Sequence, residues 1–213
     1  MIEIVPAVLP RTEQEFSSAM ERLTAAGVSR VHLDVCDGLF VPTRSINGYE
    51  LAASRDWGVT WDVHLMVRQP ESELEHWSGI HAAERFFVHV ETTDNMEVMS
   101  ARLRSDGRLL GGTINPESSL DRLEDAAPFI DAAMFMTVFP GEQGRPFIPE
   151  VLDRLRDFHG DHPTIPVAVD GGVTPATAPA CAMAGAGILV SGSFVMTHTD
   201  VAEAIQELQR SIV

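Results

Sequence analysis

The chain has 213 residues, 45% of them hydrophobic, enough apolar material for a buried core of ordinary size. With 15 basic residues against 31 acidic ones the formal net charge is −16, which argues against a nucleic-acid partner, since that would require a positive footprint. No apolar run reaches the length of a membrane span, MIEIVPAVLP has no basic region ahead of its apolar residues, and two cysteines are too few for a disulfide framework. A cytoplasmic protein with no membrane partner is therefore expected.

Residues 2–9 form the first strand candidate, interrupted by Pro6 and closed by Pro10. A helix follows over 12–26. Thr12 is its expected N-cap and Glu15 completes a capping box. Phe16, Met20 and Leu23 make the apolar stripe, and Gly27 supplies the stop. Residues 30–36 read as the second strand, because Val31, Leu33 and Val35 alternate with His32, Asp34 and Cys36. Asp37-Gly38 is the turn signal that ends it, and 48–54 reads as a short helix. Further strands are expected at 59–67, 85–91, 109–114, 130–138, 165–169 and 188–191. Helices separate them: from Pro70 to about 79, about 95–104, 118–127, 149–159 and 175–184. Ser193 is placed to open a short helix, and a terminal helix spans 200–212.

Eight strand signals alternate with helix signals, and no linker or low-complexity run divides the chain. The strands are apolar on both faces, as in a parallel sheet covered by helices. The expected fold is α/β, a single-domain (β/α)8 TIM barrel over residues 1–213. An open doubly wound sheet is the competing topology. It would show a glycine-rich nucleotide turn after the first strand, and Pro10-Arg11 is not one.

A barrel carries its chemistry at the C-terminal ends of its strands. Those ends supply His32 and Asp34, His64 and Met66, His89 and Glu91, Met136, and Asp170. An imidazole and a carboxylate two residues apart share a strand face, yet one such pair alone reads as a hydrogen-bonded couple in a core more readily than as a site. The set His32, Asp34, His64 and Asp170 is different. Four ionisable groups in one apolar ring are costly to bury without a compensating partner. Their nitrogen and oxygen donors suit one divalent ion, whether zinc, iron, manganese or cobalt. His89 and Glu91 read either as support behind such ligands or as core. Cys36 reads as lining rather than ligand, and Asp37 as a residue that fixes its loop.

Glycines punctuate the later strands. Gly141 and Gly144 follow the sixth, Gly171 and Gly172 the seventh, and Gly192-Ser193 the eighth. Each alone marks only a turn. Together, the loops after strands seven and eight with a helix N-terminus make the usual phosphate-binding place of a barrel. Backbone amides there bind a dianion without basic side chains, which reconciles an anionic ligand with an acidic chain. Arg145 is the nearby cation and is equally compatible with a surface position.

On these residues the chain resembles the ribulose-phosphate 3-epimerases. The likeness runs through HLDVCDGLFVP at 32–42, DVHLMV at 62–67, HVETT at 89–93, NPES at 115–118, MTVFPGEQGRPF at 136–147, VDGG at 169–172 and SGSF at 191–194. Several such motifs in order are far more specific than any one. The resemblance implies a (β/α)8 barrel that takes a sugar phosphate and inverts the C3 centre of a ketopentose 5-phosphate. It implies His32, Asp34, His64 and Asp170 as ligands of one divalent metal. It also makes Asp34 and Asp170 the acid/base pair, one on each face of the substrate. Met66 and Met136 match sulfur-bearing positions that give a polarizable, water-poor lining.

The chain departs from the family at the substrate-holding edge. Pro10 stands where a substrate-contacting serine is expected, Cys36 replaces a methionine, and Thr43 replaces an asparagine. Phe139 takes a place that is commonly polar, and Glu142 puts a negative charge near the expected phosphate. An intact ring with an altered edge keeps three alternatives in view: another ketose phosphate such as a hexulose 6-phosphate, another metal-dependent aldose–ketose or aldolase reaction, and a non-catalytic sugar-phosphate-binding barrel. A homo-oligomer is compatible with apolar barrel helices, and no sequence feature specifies one.

Overall fold

Alternate residues of each strand bury against different neighbours, and that alternation builds the architecture. The computed structural model describes residues 2–46, 48–141 and 144–212. Its strands are β1 (Glu3–Val8), β2 (Arg30–Cys36), β3 (Thr60–Met66), β4 (Ala83–His89), β5 (Leu109–Ile114), β6 (Ala132–Met136), β7 (Val167–Asp170) and β8 (Ile188–Ser191). Each is parallel to the next, and β1 returns to β8 from Glu3↔Ile188 to Pro6↔Ser191. The sheet therefore closes, and the expected (β/α)8 barrel is the fold found.

The covering helices are α1 (Glu13–Ala25), α2 (Gly48–Ala53), α3 (Pro70–His76), α4 (Met96–Ser105) and α5 (Asp121–Ala126). They continue as α6 (Val151–Asp161), α7 (Ala178–Ala184), α8 (Ser193–Thr197) and α9 (Val201–Ser211). No helix among the described residues is long and apolar enough to cross a membrane. Thr12 caps α1 by accepting the Glu15 N–H at 3.1 Å. The reciprocal half of the box is displaced by one residue, since Glu15 Oε2 accepts the Arg11 N–H at 2.7 Å. Pro6 does not interrupt β1. It lacks an amide hydrogen, and the β1–β2 ladder begins only at Ala7↔His32, one residue further on. Pro128 converts the end of α5 into a single 3-10 turn, Ala127–Phe129.

Two apolar layers result. Val31, Leu33 and Val35 of β2 and Trp61, Val63 and Leu65 of β3 point outward, onto Phe16, Met20 and Leu23 of α1 and the other helices. Val5, Phe87, Met134, Ala168 and Val190 fill the barrel interior. Gly111 makes room there, because a Cβ on it would lie 2.3 Å from the Phe87 ring. Below Phe87 the N-terminal end is closed by ion pairs. Asp62, fully buried, pairs with Arg85 and takes Arg30 Nη1 at 2.8 Å, while Arg30 also reaches Glu84 at 2.7 Å and Glu3 at 3.1 Å. Any open site must therefore sit at the opposite end.

Candidate metal and substrate site

Strand register places the ring. Asp34 of β2 lies beside His64 of β3, and Met136 of β6 beside Asp170 of β7. His32, Asp34, His64 and Asp170 converge at the C-terminal end, all buried, with one ligand atom from each within 4.8 Å of the others. His64 Nδ1 is 3.0 Å from Asp34 Oδ1 and 3.4 Å from Asp170 Oδ2. His32 Nε2 is 3.6 and 3.8 Å from the same two oxygens. Atoms sharing a cation at about 2.0–2.2 Å lie roughly 3–4.4 Å apart, so these separations fit. Both ring nitrogens of His32 are buried without a hydrogen-bond partner, an arrangement that is expensive unless something else satisfies them. The donor set and these orphaned nitrogens fit a divalent metal.

Burial and neighbouring charge act differently on the groups of the ring. Burial holds the His32 pKa below its ordinary value, against the pull of Asp34 and Asp170. Burial also opposes charge on His64, yet the hydrogen bonds and charges of Asp170 and Asp34 prevail and raise its pKa to about 9. Asp170 is likewise buried, but His64, His32 and His89 keep it below the usual carboxylate range.

His89 and Glu91 form a second layer behind His64. His64 Nε2 is 3.0 Å from His89 Nε2, and the two rings stack at 5.1 Å and 21°. His89 Nδ1 faces Glu91 Oε2 at 3.4 Å. Glu91 lies just past the end of β4, and its Oε1 accepts the Asn115 N–H at 2.8 Å. Burial drives the His89 pKa down to about 4. Burial is outweighed at Glu91 by His89, Ser118 and the Asn115 amide, and its pKa falls to about 2. Of the two readings of this pair, the geometry gives support behind a ring residue.

Above the ring opens a cleft with Asp34 and Asp170 at its base and Met66 and Met136 on its walls. Gly141, Gly144, Gly171 and Gly172 border it, with Gly192 and Ser193 at the start of α8. Every residue expected on the substrate side thus meets at one cleft. His32 and His64 lie beneath it with no exposure. Gly171 needs to be glycine. Its φ is +109°, and a Cβ would lie 2.4 Å from Val138 Cγ2. Thr137 donates its N–H to the Asp170 carbonyl at 2.8 Å and shares its Oγ1–H between the Asp170 and Gly171 carbonyls, at 3.1 and 2.5 Å, which fixes the strand end carrying the carboxylate. Asp37 holds its own loop as expected. Oδ1 accepts the Leu39 and Phe40 amides and Oδ2 the Arg68 amide, and these outweigh burial to lower its pKa.

The edge differs from expectation in several places. β1 and its end present Ala7 and Leu9 to the cleft, not Pro10. Pro10 is buried to the side, its carbonyl accepting the Ile46 N–H at 3.1 Å. The two-residue alternation from Val5 would have found Ala7 and Leu9. Cys36 does not line the cleft either. It packs behind the lining against Val41 and Met66, with its sulfur 4.0 Å from that of Met66. Thr43 is off the lining, and Phe139 is off it too and 49% exposed. Arg145 does border the cleft. Glu142 lies outside the described residues.

Comparison with known proteins agrees with this geometry. Residues 3–196 match the ribulose-phosphate 3 epimerase family. The chain is 34% identical over 219 residues to a ribulose-phosphate 3-epimerase of Synechocystis sp., spanning 99% of this chain and 94% of that one. It is 30% identical over 218 residues to the ribulose-phosphate 3-epimerase of Bacillus subtilis, spanning 99% and 100%. Among solved structures, KGPDC from Streptococcus mutans superposes with a TM-score of 0.73 at 12% identity, over 99% and 97% of the two chains. A 3-hexulose-6-phosphate synthase superposes at 0.68 and 18% identity over the whole of both. At such identities these structures share the fold alone. The family match over nearly the whole length, together with full-length relatives, places the sequence motifs in one lineage: the chain belongs to the ribulose-phosphate 3-epimerase family.

Proposed function

We propose that the chain is a metal-dependent ketose-phosphate 3-epimerase interconverting D-ribulose 5-phosphate and D-xylulose 5-phosphate, with residues 1–213 acting as one catalytic domain. One observation carries the reading. Two buried carboxylates from well-separated strands, Asp34 on β2 and Asp170 on β7, face one small volume at the base of the cleft. A planar intermediate seated there presents one face to each.

Epimerisation beside a ketone removes the C3 hydrogen as a proton and leaves its electron pair delocalised into the C2 carbonyl. One of Asp34 and Asp170 takes that proton on its own face, and the other, entering the turnover protonated, delivers a proton to C3 on the opposite face, inverting the centre. In the reverse direction the two exchange roles. His32, Asp34, His64 and Asp170 would hold the divalent cation, with zinc, iron, manganese and cobalt as candidates. That cation supplies positive charge beside the oxygen on which negative charge develops. Met66 and Met136 keep water from the planar intermediate. Backbone amides around Gly171, Gly172, Gly192 and Ser193 receive the phosphate, with Gly141 and Gly144 on the facing loop. Both cysteines are free and buried, as suits a reducing cytoplasm.

The test is NMR of metal-loaded protein in deuterated water with D-ribulose 5-phosphate. The C3 hydrogen should wash out as D-xylulose 5-phosphate appears. Exchange only with a hexulose 6-phosphate would reassign the substrate, and carbon–carbon cleavage would reassign the reaction. Binding without exchange for any pentulose or hexulose phosphate would overturn the enzymatic reading.

A further inference from the structure

His64 is the ring residue whose far side is also engaged. Its Nδ1 faces the Asp34 and Asp170 carboxylates, and its Nε2 lies 3.0 Å from His89 Nε2. Two imidazole nitrogens at that distance share one hydrogen, so one donates and the other accepts. The choice is made further out. His89 Nδ1 faces Glu91 Oε2 at 3.4 Å, an ion-pair distance, and neither buried atom has a hydrogen-bond partner among the described residues, so the facing negative charge favours a hydrogen over a lone pair on that nitrogen. An ionised carboxylate only accepts. The Glu91 side chain is itself held in place by the Asn115 N–H on its other oxygen, at 2.8 Å. His89 Nδ1 therefore carries a hydrogen, His89 Nε2 accepts, and His64 Nε2 donates.

We infer that Glu91 and His89 are positioning residues that keep a hydrogen on His64 Nε2, so that Nδ1 is the nitrogen that gives up its proton and turns a lone pair into the ring when a cation binds. The inference rests on the reading of the ring as a metal centre. The opposite tautomer would place a hydrogen on Nδ1 between two carboxylates. The ring would then satisfy itself by hydrogen bonding and leave that nitrogen closed to a cation. The pair behind His64 thus decides between a self-satisfied polar core and an ion-binding site. The pattern is a carboxylate–histidine pair behind a ligand, here with one additional imidazole in the chain.

The test uses zinc alone as the probe, on the full chain. In Glu91→Gln the amide oxygen can stay on the Asn115 N–H, which turns the NH2 toward His89 Nδ1 and reverses every donor down to His64. Zinc affinity, measured by chelator competition, should fall by about 10–100-fold. The melting temperature of the metal-free variant should stay within about 3 °C of wild type, which a merely structural role would not predict. Nitrogen-15 imidazole spectra of the zinc-loaded wild-type protein should show hydrogen on His89 Nδ1 and His64 Nε2. Wild-type zinc affinity in Glu91→Gln, or a wild-type spectrum with bare His89 Nδ1, overturns the inference and leaves the metal centre standing. A wild-type chain that takes no zinc, iron, manganese or cobalt overturns both. Should Glu91→Gln fail to fold, the wild-type spectrum decides.

Discussion

Asp34 and Asp170 share one task in the proposed reaction but work on opposite faces, so their removal has a distinguishable signature. Asp170→Asn and Asp34→Asn should each lower turnover by roughly 10²–10⁴-fold. Each variant should still wash the C3 hydrogen out of one epimer and not the other, and the two variants should favour opposite epimers, as read by NMR in deuterated water. His64 sets the pH behaviour of metal loading. Its pKa near 9 means that the metal-free ring holds a proton at neutral pH. A cation has to displace that proton, so apparent zinc affinity should rise by about tenfold per pH unit from 7 toward 9 and level off above. A flat profile in chelator competition would contradict the raised pKa. Much of this was legible beforehand. A period of two fixes which side chains of 30–36 and 59–67 share a face, and the barrel rule fixes which end matters. The cleft contribution of Ala7 was not, because an inward alanine reads like any core alanine, while Pro10 draws notice by breaking the strand. That His89 supports a ring residue was one of two readings, but that the residue is His64 was not legible. It depends on a register shift between Trp61 and Asp62, after which His64 pairs with Phe87 and His89 follows two residues later. Register shifts leave no mark in one strand's own pattern.

At the level of elements, β4 and β5 are matched by volume: Phe87 occupies space that Gly111 leaves empty. Gly111→Ala should destabilise the barrel by about 1–3 kcal/mol, through overpacking. Adding Phe87→Leu should recover part of the loss, the mark of two residues in contact. Thermal melts followed by circular dichroism measure both, and an unshifted melt for Gly111→Ala would show that Phe87 is not clamped there. Element order and type followed from periodicity, whereas the ends moved for local reasons. β7 starts at Val167 rather than Ile165, because the Ile165 amide is taken by the His162 carbonyl and Pro166 has no amide hydrogen to offer. α7 starts at Ala178, since Thr177 spends its hydroxyl on the turn before it, accepting the Thr174 N–H at 3.0 Å and donating to the Gly172 carbonyl at 2.8 Å. Such competition between side chain and backbone is settled by neighbours that a linear reading does not see.

The whole molecule is an acidic barrel with one closed end and one open end, and its net charge of −16 gives the proposed phosphate ligand no long-range attraction. The closed end has a kinetic consequence. Beneath His32, whose ring is 5.7 Å from that of Phe87, lie Phe87 itself and then the Asp62–Arg85 pair, with Phe87 and Asp62 fully buried. Among the described residues that floor leaves the mouth as the way by which protons on the carboxylates meet solvent, and in the proposed reaction a seated sugar phosphate stoppers it. In the proposed reaction each turnover ends with the proton moved from one of the two carboxylates to the other, the mirror image of the state in which it began. The enzyme that releases product is thus primed for the return journey until water resets it, and it carries a short memory of the last direction travelled. A tracer-perturbation experiment at saturating substrate should reveal it. Labelled epimers already at equilibrium should be driven transiently away from it when unlabelled ketose phosphate is added. No transient would mean that water resets the pair through the open mouth before the next substrate binds.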